Sequence, residues 1–208
     1  MRDALFMGRM TAQATHEMQN ILATIRESAG LMADLLAMGG GDFAHAERFK
    51  KGLGVMEQQV ERGMTLSEQL NYCAHAPEQC PAGCEVNDAL RALEVLFGRI
   101  AARHRVRLAF SPGRSGLRTV LRAVEVMDLG GLALDCALPL FARDSVLALR
   151  VAEQGGLAEA RLEGAAYEAL AARTEFAELA TRARALGVGL RPGPEGAGLV
   201  LALPMPRA

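Results

Sequence analysis

Gly8-Arg9-Met10-Thr11-Ala12-Gln13-Ala14-Thr15-His16-Glu17-Met18-Gln19-Asn20 is the stretch from which the reading of the chain starts. A histidine is followed at once by a carboxylate, with an asparagine one helical turn later. Imidazole is a competent nucleophile at physiological pH because an unperturbed histidine titrates at about 6.5. Downstream, Met18, Leu22, Ile25, Ala29, Met32 and Leu36 recur at steps of four and three, the pattern of a coiled-coil-like seam. His16 precedes Met18 by two residues, about 200° round a helix at ~100° per residue, and is expected to face away from that seam. Gln13 and Asn20 share its face through three- and four-residue spacings.

Met38-Gly39-Gly40-Gly41-Asp42 interrupts the pattern. Glycine accepts the left-handed angles that end a helix, and Asp42 can cap the next one. A second seam, Phe49, Leu53, Met56 and Val60, continues to about Leu70. A short loop between two long amphipathic helices makes them antiparallel neighbours. Two helices alone cannot bury both seams, so residues 1–72 are expected to dimerise as a symmetric four-helix bundle.

Residues 73–84 carry two prolines and no periodicity and are taken as a linker. Within it Cys73, His75, Cys80 and Cys84 are candidate metal ligands. Their spacing departs from Cys-x-x-Cys pairs, so reduced thiols in a linker are the favoured reading. Cys136, on an apolar helix face, is read as core, His45 as solvated, and His104 as part of the basic cluster Arg103-His104-Arg105 before a strand.

Residues 85–208 alternate helix and strand. Val86 to Ala102 reads as a helix with Leu90, Leu93, Leu96, Phe97 and Ile100 on one face, and Val106 to Phe110 as a strand. Thr119 to Leu138 reads as a second helix. Ser145 to Ala152 and Ala158 to Leu162 form a strand pair around Gln154-Gly155-Gly156, and Ala165 to Leu186 a long helix. Val188 to Arg191 and Gly198 to Leu203 complete a mostly antiparallel sheet covered on one face by helices, an α+β sandwich.

Bulk properties narrow the function classes. The 208 residues carry a net charge of −1 and only 4% aromatics, which gives no electrostatic or stacking case for nucleic acid. No apolar run approaches the ~20 residues of a membrane span, and Met1 to Phe6 lacks a signal-peptide pattern. A cytoplasmic protein that keeps its four cysteines reduced is expected.

The stretch around His16 resembles the phospho-acceptor box of bacterial two-component histidine kinases, in the group whose box reads G-R-L-x-A-x-x-A-H-E-x-x-N-P-L. The match runs through Gly8-Arg9-Met10, Ala14, His16-Glu17, Asn20 and Ile25, with Ile21 standing where that family usually has proline. The resemblance implies that His16 is phosphorylated. Glu17 is placed to orient the ring and to stabilise the positive charge that develops on it. Asn20 is placed to position a water against an aspartyl phosphate on a docked partner. Gln13, Ile21 and Thr24 flank the histidine as partner-contacting positions.

In order and spacing, residues 85 to 204 resemble the family's ATP-binding domain, but its ATP-binding residues are largely missing. The magnesium-binding Asn-Leu-x-x-Asn-Ala corresponds to Gly131-Leu132-Ala133-Leu134-Asp135-Cys136. The Asp-x-Gly-x-Gly loop corresponds at best to Glu153-Gln154-Gly155-Gly156, and the segment before the last helix has no glycine after Gly164. A nucleotide triphosphate needs close backbone amides and a magnesium ligand set. Only Asp135 and Glu153 remain as candidates for either. The combination resembles histidine phosphotransferases with a degenerate kinase domain. It implies relay of phosphate through His16 between response-regulator receiver domains, with no cofactor of its own and any Mg2+ held by the receiver. Two alternatives stay open: a divergent autophosphorylating kinase, and a non-enzymatic dimeric scaffold that binds a response regulator.

Overall fold

The computed structural model describes residues 2–38, 46–75 and 83–206. The glycine turn at 39–42, His45 and Cys80 lie outside the described residues. Two long helices come first, α1 (Arg2–Met38) and α2 (Ala46–His75). Gly52 faces Met32, and Gly63 faces Ile21 and Met18, so the two run antiparallel as expected.

The expected seam splits in two. Ile21 and Met32 are buried, and Met18 and Ile25 half-buried, whereas Leu22 and Leu36 are 58% and 54% exposed. On α2 the hidden positions are Gly52, Gly63, Leu66 and Cys73, and Leu53 and Val60 point outward. The cause is the glycines. Where α2 lacks a side chain at 52 and 63, α1 closes in and fills the space with Met32 and Ile21. Counting large apolar residues therefore picked the outer stripe of α2, because the inner stripe contains small ones.

The second part comprises β1 (Cys84–Glu85), α3 (Val86–Arg103), β2 (Val106–Ser111), β3 (Arg118–Thr119), α4 (Ala123–Ala137), β4 (Ser145–Gln154), β5 (Leu157–Ala166), α5 (Tyr167–Ala171), α6 (Phe176–Ala185), β6 (Gly189–Pro192) and β7 (Ala197–Pro204). Five strands form one sheet in the order β2-β4-β5-β7-β6. The β2–β4 pair is parallel and the others antiparallel. β1 and β3 make a separate two-stranded pair. Gly155 and Gly156, both at positive φ, close the β4–β5 hairpin between paired Gln154 and Leu157. Two consecutive residues at positive φ match the twist of the flanking strands, and glycine adopts that geometry at little cost. Leu147, Leu149 and Val151 on β4 alternate inward, as do Leu199, Leu201 and Leu203 on β7. α3 and α4 pack over this face, and the stripe Leu90, Leu93, Leu96, Phe97 and Ile100 on α3 is buried throughout.

Two helices differ from expectation. The run 165–186 is not one helix. β5 extends through Ala166, which pairs with Ala197 after a bulge, and α5 and α6 are separate short helices. Ladder pairing overrides the helix propensity of alanine here. The helix expected from Thr119 begins at Ala123, because Thr119 belongs to β3 and its hydroxyl donates to the Pro204 carbonyl at 2.7 Å.

The sequence boundary at 73–84 is not a gap in the packing. α2 runs to His75, and Cys84 already pairs in β1. Phe6, Met10 and Ala14 of α1 belong to the same buried cluster as Leu90 and Phe97 of α3 and Leu134 of α4. Polar contacts reinforce the join. Asp3 accepts from Arg122 at 2.9 Å and from Arg182 at 3.3 Å. Arg9 lies over the Phe97 ring, 5.1 Å from its centroid, and donates to both oxygens of Asp135 at 2.5 and 2.6 Å. Among the described residues no helix is long and apolar enough to cross a membrane.

Gly131 of α4 packs closely under Phe97 of α3, next to Phe6 of α1. A Cβ there would lie 2.8 Å from Phe97 Cζ and 3.4 Å from Phe6 Cε2. Gly131→Val overpacks this space and is expected to cost about 1–3 kcal/mol. Denaturant unfolding of the two proteins side by side checks this, and an unchanged midpoint would show that Phe97 does not press on α4 there.

Candidate functional site: the His16 groove

His16 is exposed on the flank of α1 that meets α3. The residue that joins the two helices is Arg99. Its Nη1 donates to Glu17 Oε2 at 3.2 Å, and its Nη2 lies 3.3 Å from His16 Nε2. Arg62 of α2 holds the other oxygen of Glu17. The bonds of Glu17 therefore go to two arginines, and Arg99 bridges it to the imidazole. With its side chain 13% exposed, Glu17 is anchored in place, and it acts on the ring through Arg99.

Beside the histidine opens a groove of about 460 Å³, lined by Glu17, Asn20, Ile21, Thr24, Gln59, Arg62, Arg99, Ala102 and Arg103. Three cations against one carboxylate make it electropositive and suited to an anionic visitor. Asn20 is exposed at its edge, and its backbone carbonyl accepts from the Thr24 hydroxyl at 3.0 Å. Ile21 forms the floor at 2% exposure, packed into the hairpin, so little of it is offered to a partner. Gln13 is half-buried, and its side-chain oxygen is sheltered without a hydrogen-bond partner among the described residues. The structure thus brings Glu17, Asn20, Ile21 and Thr24 to one opening, with His16 next to it on the far side of Arg99 and Gln13 half-buried.

Arg62, Arg99 and Arg103 were not singled out from sequence. Arg99 and Arg103 stand one turn apart on α3, beside its apolar stripe. No motif marks them, since only the docking of α1 against α3 gives them a role.

The two residual nucleotide candidates lie elsewhere and apart from each other. Asp135 is engaged by Arg9 and lines a cleft of about 390 Å³ between α1, α4 and the start of α6. That cleft presents Asp128, Asp135, Glu175 and Glu178 against a single lining arginine, Arg9. Asp135 pairs with Arg9, Asp128 with Arg182 and Glu175 with Arg173, so the arginine of the lining is engaged by a carboxylate and is not presented to a polyphosphate. Glu153 is paired with Arg114, whose hydrogen bond holds its carboxyl below the usual range. Among the described residues no group of three or more His, Cys, Asp and Glu is placed to hold a metal ion.

Cys73 and Cys84 are buried free thiols. Burial pushes Cys73 up to about 11 and Cys84 up to about 12, and the Cys73 Sγ lies 3.4 Å from Met7 Sδ. Thiols that stay protonated in a core do not present the thiolate that a metal takes. His75 is exposed at the end of α2, His104 is exposed just after α3, and Cys136 is buried in α4 as expected.

No protein-family model matches the chain, and no curated protein matches its sequence. Solved structures similar to it are bacterial histidine kinases and a phosphotransferase. Acinetobacter baumannii histidine kinase AdeS is 12% identical over 92% of this chain and 98% of its own, with a TM-score of 0.48. A bacterial phosphotransferase is 12% identical over 96% of each chain, with a TM-score of 0.49. Histidine kinase ThkA, solved in complex with the response regulator TrrA, is 13% identical over 99% of this chain and 64% of its own, with a TM-score of 0.46. At such identities the likeness concerns fold and not chemistry, which has to be read from the side chains around His16.

Proposed function

We propose that the chain is a histidine phosphotransfer protein of a two-component phosphorelay. His16 takes a phosphoryl group from the aspartyl phosphate of one receiver domain and passes it to the aspartate of another. The observation that carries this reading is the setting of His16. An exposed imidazole lies in hydrogen-bond reach of Arg99, which lines an electropositive groove, beside a carboxylate held by two arginines. Attack on an aspartyl phosphate needs an accessible ring nitrogen and cations where oxyanion charge gathers, and both are present. The cleft beside Asp135 speaks against the kinase alternative, because the arginine in its lining, Arg9, is already held by Asp135 and is not offered to a triphosphate.

The same reading includes a homodimer. Leu22 and Leu36 on α1 and Leu53, Val60 and Met64 on α2 are all more than two-fifths exposed. A stripe of large apolar side chains along both helices of a hairpin is the face that a second hairpin would cover.

The first test is transfer of label from phosphorylated receiver domains to the wild-type chain and to His16→Ala, with labelled ATP as a parallel donor. Label is expected on wild type from at least one receiver, with none on the variant and none from ATP. Label from ATP would revive the kinase. Binding of a receiver without transfer, unchanged in His16→Ala, would leave a scaffold. For the dimer, light scattering is expected to give twice the chain mass for wild type and the single mass for Leu22→Glu combined with Val60→Glu. An equal mass for both proteins would rule this interface out.

A further inference from the structure

We infer that Arg99 holds His16 in the Nδ1–H tautomer and forms the anion subsite for a phosphoryl group on Nε2. The inference rests on the phosphotransfer reading and names the atom that reacts and the group that receives its charge. A guanidinium has donors only. The 3.3 Å approach of Arg99 Nη2 to His16 Nε2 is therefore a hydrogen bond only if Nε2 is the acceptor. The ring proton then sits on Nδ1, and the Nε2 lone pair is the nucleophile. Glu17 fixes the guanidinium through Nη1 at 3.2 Å, and Arg62 fixes Glu17 in turn. One carboxylate thus sets the position of the cation that sets the ring.

The same placement serves the product. In the forward step the Arg99 donor moves off Nε2 as the phosphoryl group approaches, and the lone pair so released forms a bond to phosphorus. The bond from phosphorus to the aspartyl oxygen breaks, and the carboxylate leaves with the electron pair. The ring retains its Nδ1 proton and becomes a phosphorylated imidazolium, which can shed that proton to water. Nε2 can no longer accept from Arg99. The Nη2 donor is then free to meet an oxygen of the phosphoryl group that has arrived beside it. Arg99 Nε is buried and has no hydrogen-bond partner among the described groups, so the guanidinium carries an unpaired N–H beside the histidine.

The motif around His16 does not contain this residue. Arg99 lies on α3, in the α+β part, so that part contributes directly to the reacting histidine.

Two readings on the full chain test the inference without any receiver. The first is the two-bond ¹H–¹⁵N correlation spectrum of the wild-type protein at a pH where His16 is neutral. The Nδ1–H pattern is expected, although free histidine in water favours Nε2–H. The second is the rate at which phosphoramidate, a small phosphoryl donor, phosphorylates His16 in wild type, Arg99→Gln and Arg99→Lys. Arg99→Gln is expected to lose the tautomer preference and to slow by on the order of tenfold, the worth of one charge-assisted hydrogen bond. Arg99→Lys keeps the charge but cannot fork to both partners, and is expected to fall between. An Nε2–H pattern in wild type overturns the inference, as does a phosphoramidate rate that is the same in all three proteins. The wild-type spectrum decides the tautomer even if a variant fails to fold. A chain that takes label from no receiver yet shows both expected results would sink the relay and leave the subsite standing.

Discussion

The burial of Phe6, Met10 and Ala14 against α3 and α4 is the constraint on which the molecule depends. α1 is a single helix with two partners. α2 runs along it from Met7 to Met32, and the first turns of α1 also enter the core of the α+β part. His16 follows directly on the turns that have both partners. Burying a side chain such as Phe6 or Met10 contributes about 1.5–3 kcal/mol, so these two contacts, with the smaller Ala14 and the paired Arg9 and Asp3, hold the histidine in register with Arg99. Were α1 to dock on the hairpin alone, Glu17 would keep Arg62 and lose Arg99, and the imidazole would stand without its hydrogen bond.

Charge is then divided between two sides of the same helix. Near His16 the exposed groove is positive. Near Asp135 the cleft is negative, and its one lining arginine is already paired. A protein that bound a triphosphate beside α4 would need the opposite arrangement.

Much of this was legible in the sequence. The apolar stripe of α3 stands as read, and so does the Gly155-Gly156 hairpin. What was hidden had physical causes. The inner face of α2 is built on Gly52 and Gly63, which carry no hydrophobic signal and work by what they omit. The alanine-rich run after Gly164 has helical propensity throughout, but its first residues are claimed by pairing with β7. Arg99 and Arg62 are ordinary surface arginines in the sequence. Their meaning comes from contacts 83 residues apart in one case, which no local pattern encodes.

The central claim is that the site at His16 is completed by docking α1 onto the α+β part. The most direct measurement is a charge exchange at the join, away from the histidine. Arg9→Asp, Asp135→Arg and the double variant are compared with wild type for label transfer from a phosphorylated receiver to His16. The account predicts that each single change slows transfer, and that the double change, which restores an opposite-charge pair, recovers most of it. Transfer at the wild-type rate in both folded single variants would contradict the account and place the active histidine on a hairpin that works by itself.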